Sequence, residues 1–113
     1  TLILFAPGES ALAAAASAHG LRLAREVFAD RNYQSDGQLV SRTQANALLT
    51  DAEEAATRVV RMLHENVVRT IDGNDLAIHA DTICVHGDTP DAIAFARKLR
   101  ARLSSNGISV AAP

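Results

Sequence analysis

Short apolar runs alternate along this chain with longer stretches whose apolar residues recur at helical spacing. "LILF" (2–5) has the length and composition of a buried strand, and Pro7-Gly8 interrupts it. The alanines of "ESALAAAASAH" favour helix, and Gly20 stands where a helix stops. "LRLAREVF" (21–28) alternates and then turns apolar, as a strand with one buried end does. Residues 29–49 are rich in turn formers and weakly patterned, so they are expected to form a functional lid or a disordered segment. Thr50 and Glu53 have capping-box spacing ahead of Ala56, Val59, Val60 and Leu63, which predicts a helix ending near Asn66.

Beyond it, "VVRTIDGNDLAIH" (67–79) predicts a β-hairpin about Asp72-Gly73, the dipeptide that supplies the positive φ of a tight turn. A strand is expected at 81–85. Thr89 then suits an N-cap, Pro90 the first helical position and Asp91 the favourable end of the dipole. Ile93, Ala96, Leu99 and Leu103 make an apolar stripe with Arg97, Lys98, Arg100 and Arg102 solvated opposite it. Asn106-Gly107 ends that helix, and 108–110 reads as a last short strand. Strand and helix in this alternation predict an α/β fold of parallel βα units with helices outside the sheet.

In parallel sheets the ligand site lies beyond the carboxyl ends of the strands, which singles out three loops. They are Ala6 to Ser10, Glu26 to Tyr33, and His86-Gly87-Asp88. Their candidate residues are Glu9, Glu26, Asp30, Arg31, Tyr33, His86 and Asp88. A carboxylate near the apolar interior, such as Glu26, has its proton affinity raised by burial or lowered by a cation such as Arg31, and both suit acid–base or anion-binding work. Structural alternatives stand beside these. Glu26 and Arg31 can form an ion pair at a strand end, and His86 and Asp88 can be a turn histidine and a helix-capping acid. The H-x-D spacing offers two metal ligands, where zinc chemistry wants at least three. His19, His64 and His79 fall at element ends, and Cys84 reads as a small core hydrophobe.

Composition narrows the partners. Eleven Lys plus Arg against 13 Asp plus Glu give a net charge of −2, with the basic residues dispersed, so nucleic acid is not an expected partner. One cysteine excludes an internal disulfide and fits a reducing, cytoplasmic setting. No run approaches the roughly 20 apolar residues of a membrane span, and no leader pattern is present. Hydrophobic residues reach 48 %, but with no Trp, one Tyr and three Phe there are few large side chains to fill a core. Additional chain or a partner surface is therefore expected. The absence of an initiating Met points the same way.

"EVFADRNY" (26–33), "LVSR" (39–42) and "ADTICVHGDTPDA" (80–92), in this order with a capped helix between, resemble the LamB/YcsF family, whose members are A subunits of bacterial ATP-dependent 5-oxoprolinase. The resemblance runs through nearly the whole chain. It implies an irregular (β/α) barrel of the glycoside hydrolase/deacetylase type, of which 1–113 is the C-terminal portion, because the family's acidic motif on its first strand has no counterpart here. It also implies ATP-driven opening of the 5-oxoproline lactam to glutamate with partner B and C subunits. On that footing Arg31 is expected to bind an anion, His86 or Asp88 to activate water, and Glu26 to shuttle or orient a proton. Glu9, Asp30 and Tyr33 are then expected to contact substrate. No segment resembles a Walker loop, so the location of Mg-ATP within the complex is left open, and no metal is expected in this part of the chain. Two alternatives follow from the same scaffold. One is a metal-dependent deacetylase-like hydrolase using His86 and Asp88, and the other a non-catalytic regulatory or carbohydrate-binding module.

Overall fold

A computed structural model describes all residues, 1–113. Three parallel strands form the sheet in the order β1-β2-β5, where β1 is Ile3–Ala6, β2 Arg22–Phe28 and β5 Thr82–Cys84. Ile3 to Ala6 pair with Arg22 to Arg25, and Glu26 to Phe28 pair with Thr82 to Cys84, so β2 runs three residues past the end of β1. Helix α1 (Ala11–Ala18) begins where the Ser10 hydroxyl accepts from the Ala13 amide at 3.1 Å. Its buried face is only Ala13 and Ala16.

Helix α2 (Ala52–Glu65) follows the long segment, and its N-cap is Asp51 rather than the expected Thr50. The Asp51 carboxylate accepts from the Glu53 and Glu54 amides at 2.8 and 3.1 Å, and a charged acceptor at the positive end of the dipole outcompetes a hydroxyl. The hairpin forms as predicted, with β3 (Val67–Arg69) antiparallel to β4 (Asp75–Ala77) and Gly73 at φ 81°.

Helix α3 (Ala92–Ser105) starts later than its sequence suggests. Thr89 and Pro90 lie in a separate turn, closed by Ala92 N–H donating to Thr89 O, and Asp91 is the N-cap without a side-chain bond. The buried stripe also moves. Leu99 and Leu103 are buried and Phe95 partly so, while Ile93 is 72 % exposed and Ala96 lies outside. No strand forms at 108–110. Gly107, at φ 74°, instead lets Ile108 N–H reach Leu103 O and Gly107 N–H reach Ser104 O, a Schellman closure that consumes these amides.

Two small clusters make the core. Ala29, Ala56, Val59, Leu99 and Leu103 join the end of β2 to α2 and α3; Val27, Tyr33, Met62 and Val68 join β2 to α2 and the hairpin. Val27 and Ile83 therefore face the helices, and by strand alternation and register Glu26, Phe28, Thr82 and Cys84 share the opposite face. Residues 29–49 are neither a free lid nor disordered. Asn32 N–H donates to Ala47 O, Val40 N–H to Asn32 O and Leu49 N–H to Asp30 O, folding the segment back on the strand exit.

Candidate functional site

The overhang of β2 beyond β1 creates a cleft of about 810 Å³. Pro7 to Ser10 border it on one side, Asp36 to Leu39 on another, and Leu76 to His79 of the hairpin close it; Arg25, Glu26, Phe28 and Tyr33 form its floor. Three predicted residues, Glu9, Glu26 and Tyr33, thus meet in one cavity. Tyr33 is nearly fully buried, and its hydroxyl accepts from the Phe28 amide at 3.0 Å on the strand edge that β1 leaves open. Burial pushes its phenol above the ordinary value.

Asp30 and His86 form a second group. The Asp30 carboxylate accepts from the His86 amide at 2.9 Å, and its oxygens lie 2.9 and 3.1 Å from His86 Nδ1. The His86 ring stacks on Phe28 with centroids 5.8 Å apart, which ties this pair to the cleft floor. Cys84 sits between the groups. Burial first, then the Glu26 and Asp30 carboxylates, push its thiol up, so it is protonated at neutral pH and no ready nucleophile. Glu26, Cys84, Asp30 and His86 consequently line one rim, at the carboxyl ends of adjacent strands.

Two predicted residues are elsewhere. Asp88 is exposed and paired with Arg42 at 3.1 Å, and that hydrogen bond holds its carboxyl below the usual range. Arg31 is buried in the 29–49 segment, where Nη2 donates to Val40 O at 2.8 Å; it neither lines the cleft nor pairs with Glu26. His86 and Asp88, two residues apart, turn to different partners, and no three His, Cys, Asp or Glu side chains converge as metal ligands do.

Arg58 escaped the sequence reading. Its Nη2 donates to the carbonyls of Phe28, Ala29 and Arg31 at 3.0, 2.9 and 2.7 Å, and Nη1 to Asn32 Oδ1 at 3.1 Å. Burial lowers the proton affinity of this guanidinium, yet the fork still gathers the whole exit of β2. Its signal was there to read, since it lies three residues after buried Ala55 and four before buried Met62 on the apolar stripe.

Arg25 and Asp81 brace the floor. Asp81 accepts from Arg25 Nε at 2.7 Å, Nη2 at 2.9 Å and the Arg25 amide at 2.9 Å. The guanidinium bond holds the Asp81 carboxyl down from 3.8 to about 2. A depressed folded-state value contributes stability above the unfolded value and loses it as pH falls from about 4 to about 2. The pair is more than a third exposed, so screening keeps the gain under about 1 kcal/mol. Urea midpoints of Asp81→Asn are expected to lie below wild type at pH 6 and to converge with it by pH 2. A constant gap across that window would contradict the linkage.

These features define an α/β protein whose polar groups gather beyond the carboxyl ends of parallel strands. The chain belongs to the LamB/YcsF family, whose model matches residues 1–113. It is 51 % identical over 111 residues to the 5-oxoprolinase A subunit of Bordetella parapertussis, covering 98 % of this chain and 44 % of that protein. Over 110 residues it is 52 % identical to the protein of the same name from Nitrobacter winogradskyi, covering 97 % and 43 %. The crystal structure of a lactam utilization protein from Thermus thermophilus superposes with a TM-score of 0.92 at 38 % identity, over 99 % of this chain and 44 % of that one. The chain thus spans less than half the length of the relatives it matches. No helix is long and apolar enough to cross a membrane.

Proposed function

We propose that this chain supplies one wall of the site at which a 5-oxoprolinase opens the lactam of 5-oxoproline to glutamate, within an A subunit that works with B and C subunits in the cytoplasm. The observation that carries the reading is the convergence of Glu26, Cys84, Asp30 and His86 on one rim beside a small-molecule-sized cleft, in a chain whose relatives bear that subunit's name. On this reading the sheet is one sector of an irregular (β/α) barrel that the rest of the protein completes.

Opening an amide needs a base for water, a donor for the leaving nitrogen and a counter-charge for the substrate carboxylate. Glu26 faces the cleft and suits orienting the lactam N–H, whose hydrogen bond it can accept, while the proton that the leaving nitrogen needs comes from His86. His86 suits the water. Tyr33 and Glu9 border the substrate. Arg31 acts at a distance, by holding the loop that carries Asp30. Arg25 is committed to Asp81, so the cation that meets the substrate carboxylate comes from outside this chain.

The residues present do not fit a nucleotide triphosphate. Glu9, Glu26 and Asp36 line the cleft against the paired Arg25 and His79, and no glycine-rich phosphate loop is present. ATP is accordingly assigned to other parts of the complex, and no step here runs through it. Neither alternative, a metal-dependent deacetylase-like hydrolase or a non-catalytic module, has a specific observation in its favour.

Extract from cells lacking this gene is expected to lose ATP-dependent conversion of 5-oxoproline to glutamate, and the intact gene to restore it. The Glu26→Gln gene should restore about a hundredth or less of the rate. Undiminished conversion in the deletion strain would remove the function, and full restoration by Glu26→Gln would remove the site.

A further inference from the structure

We propose that Asp30 is the positioning residue for His86, fixing its hydrogen on Nδ1 so that Nε2 is the atom that takes and returns the proton during lactam opening. The inference rests on the proposed function for its chemistry and on geometry alone for its tautomer.

An ionised carboxylate only accepts hydrogen bonds. Asp30 lies 2.9 Å from the ring through Oδ1, and through Oδ2 it also accepts from the His86 amide. A neutral imidazole has one N–H, so a ring held this way carries it on Nδ1 and leaves Nε2 as a free acceptor. The Phe28 ring, 8° from parallel with the imidazole, opposes its rotation. The Asp30 side chain is 12 % exposed and that of His86 27 %, so the carboxylate is sheltered while the imidazole keeps an open side. Asp88 is a further charge near His86, and it is paired with Arg42.

Asp30 is itself held from both sides. Arg58 grips the carbonyls of Ala29 and Arg31, the Asp30 carbonyl accepts from the Leu49 amide, and the Ala29 amide donates to Cys84 O across the two strand exits. A half-buried guanidinium whose Nη2 is given to the backbone flanking one acid sets where that acid points. Such pre-arrangement is what proton transfer at a fixed atom needs.

The step balances without a further reagent. Nε2 takes a proton from water as the water oxygen bonds to the lactam carbonyl carbon and the carbonyl π electrons move onto oxygen. When the carbonyl re-forms, the carbon–nitrogen bond breaks, and the Nε2 proton goes to the nitrogen. Asp30 accepts from Nδ1–H throughout and stabilises the imidazolium.

The test uses the full-length protein labelled with ¹⁵N-histidine, the His86 signal being assigned by its loss in His86→Gln. Long-range ¹H–¹⁵N correlations at a pH where the ring is neutral are expected to show hydrogen on Nδ1 in wild type. Asp30→Asn, whose amide can donate to Nδ1, is expected to move it to Nε2. In the reconstituted complex the same substitution should lower kcat about 10²–10⁴-fold with KM changed less than about threefold, and Asp30→Glu should recover at least about tenfold of the loss. Hydrogen on Nε2 in wild type, or an unchanged tautomer in Asp30→Asn, overturns the proposal. If the complex does not open 5-oxoproline at all, the proposed function fails, and the tautomer measurement still decides this inference.

Discussion

Leu99→Asp is expected to abolish folding of the full-length protein, while Arg100→Asp leaves its thermal midpoint within about 2 °C of wild type. Leu99 is 5 % exposed and packs with Ala29, Ala56, Val59 and Leu103, the cluster that seats α3 on α2 and on the exit of β2. Losing the buried isobutyl group costs about 2–5 kcal/mol, and an unpaired carboxylate in its place adds a desolvation penalty of several more. Against a domain stability of about 5–15 kcal/mol the sum is decisive. The cations of α3 offer no rescue, since Lys98 and Arg102 already reach Glu53 on α2, at 3.1 and 3.7 Å. Arg100 is exposed one residue on, where a charge reversal loses no buried contact. Circular dichroism and urea titration of the two variants decide the matter, and equal tolerance would dismantle the α2–α3 packing.

The same helix shows what sequence periodicity can and cannot deliver. Ala92, Phe95, Leu99 and Leu103 and Ile93, Ala96, Leu99 and Leu103 are both acceptable helical stripes, and they diverge only in the first turns. Packing against α2 selects the first set, because α3 begins after an extra turn at Thr89 that re-aims its opening residues. The hairpin at Asp72-Gly73 was legible because its determinant is local, a positive φ at one glycine. At Asp51 and at 108–110 the deciding events were also local, yet two neighbouring residues could each play the part, and the better acceptor or the available amide won.

The candidate site divides along the same line. The rule that ligands bind beyond the carboxyl ends of parallel strands picks out Glu9, Glu26, Tyr33, Asp30 and His86, which the fold gathers at one end of the sheet. It could not pair them. Asp30 and His86 are 56 residues apart, and nothing in their spacing distinguishes that partnership from one between His86 and Asp88, which lie in the same triplet. Arg31 stands apart for a related reason, since a cation in a loop beside an acid reads as a ligand for anions, and only the fold shows it buried with Nη2 on the Val40 carbonyl. What the sequence does carry is the oddity of a charged residue on an apolar stripe, and that oddity is Arg58.

Arg58→Met should therefore be the most informative single substitution in the molecule. It keeps helix propensity and most of the volume while removing four donated hydrogen bonds, three of them to backbone carbonyls at the exit of β2. Unsatisfied carbonyls cost about 1–3 kcal/mol each, offset in part because a guanidinium no longer has to be desolvated, so a net loss of about 3–5 kcal/mol is expected. Arg58→Lys cannot fork and should recover less than half of it. The loss should also be local before it is global. Amides of Asn32, Val40 and Leu49, which hold the 29–49 segment to the strand exit, should exchange with solvent at least about tenfold faster in Arg58→Met, under conditions where amides within α1 are unchanged. Loosening that segment frees Asp30, so the His86 tautomer should become mixed even where the protein remains folded. Unchanged exchange at those three amides would show that the segment is held by something other than the guanidinium, and the chain of dependence from α2 through Asp30 to His86 would break at its first link.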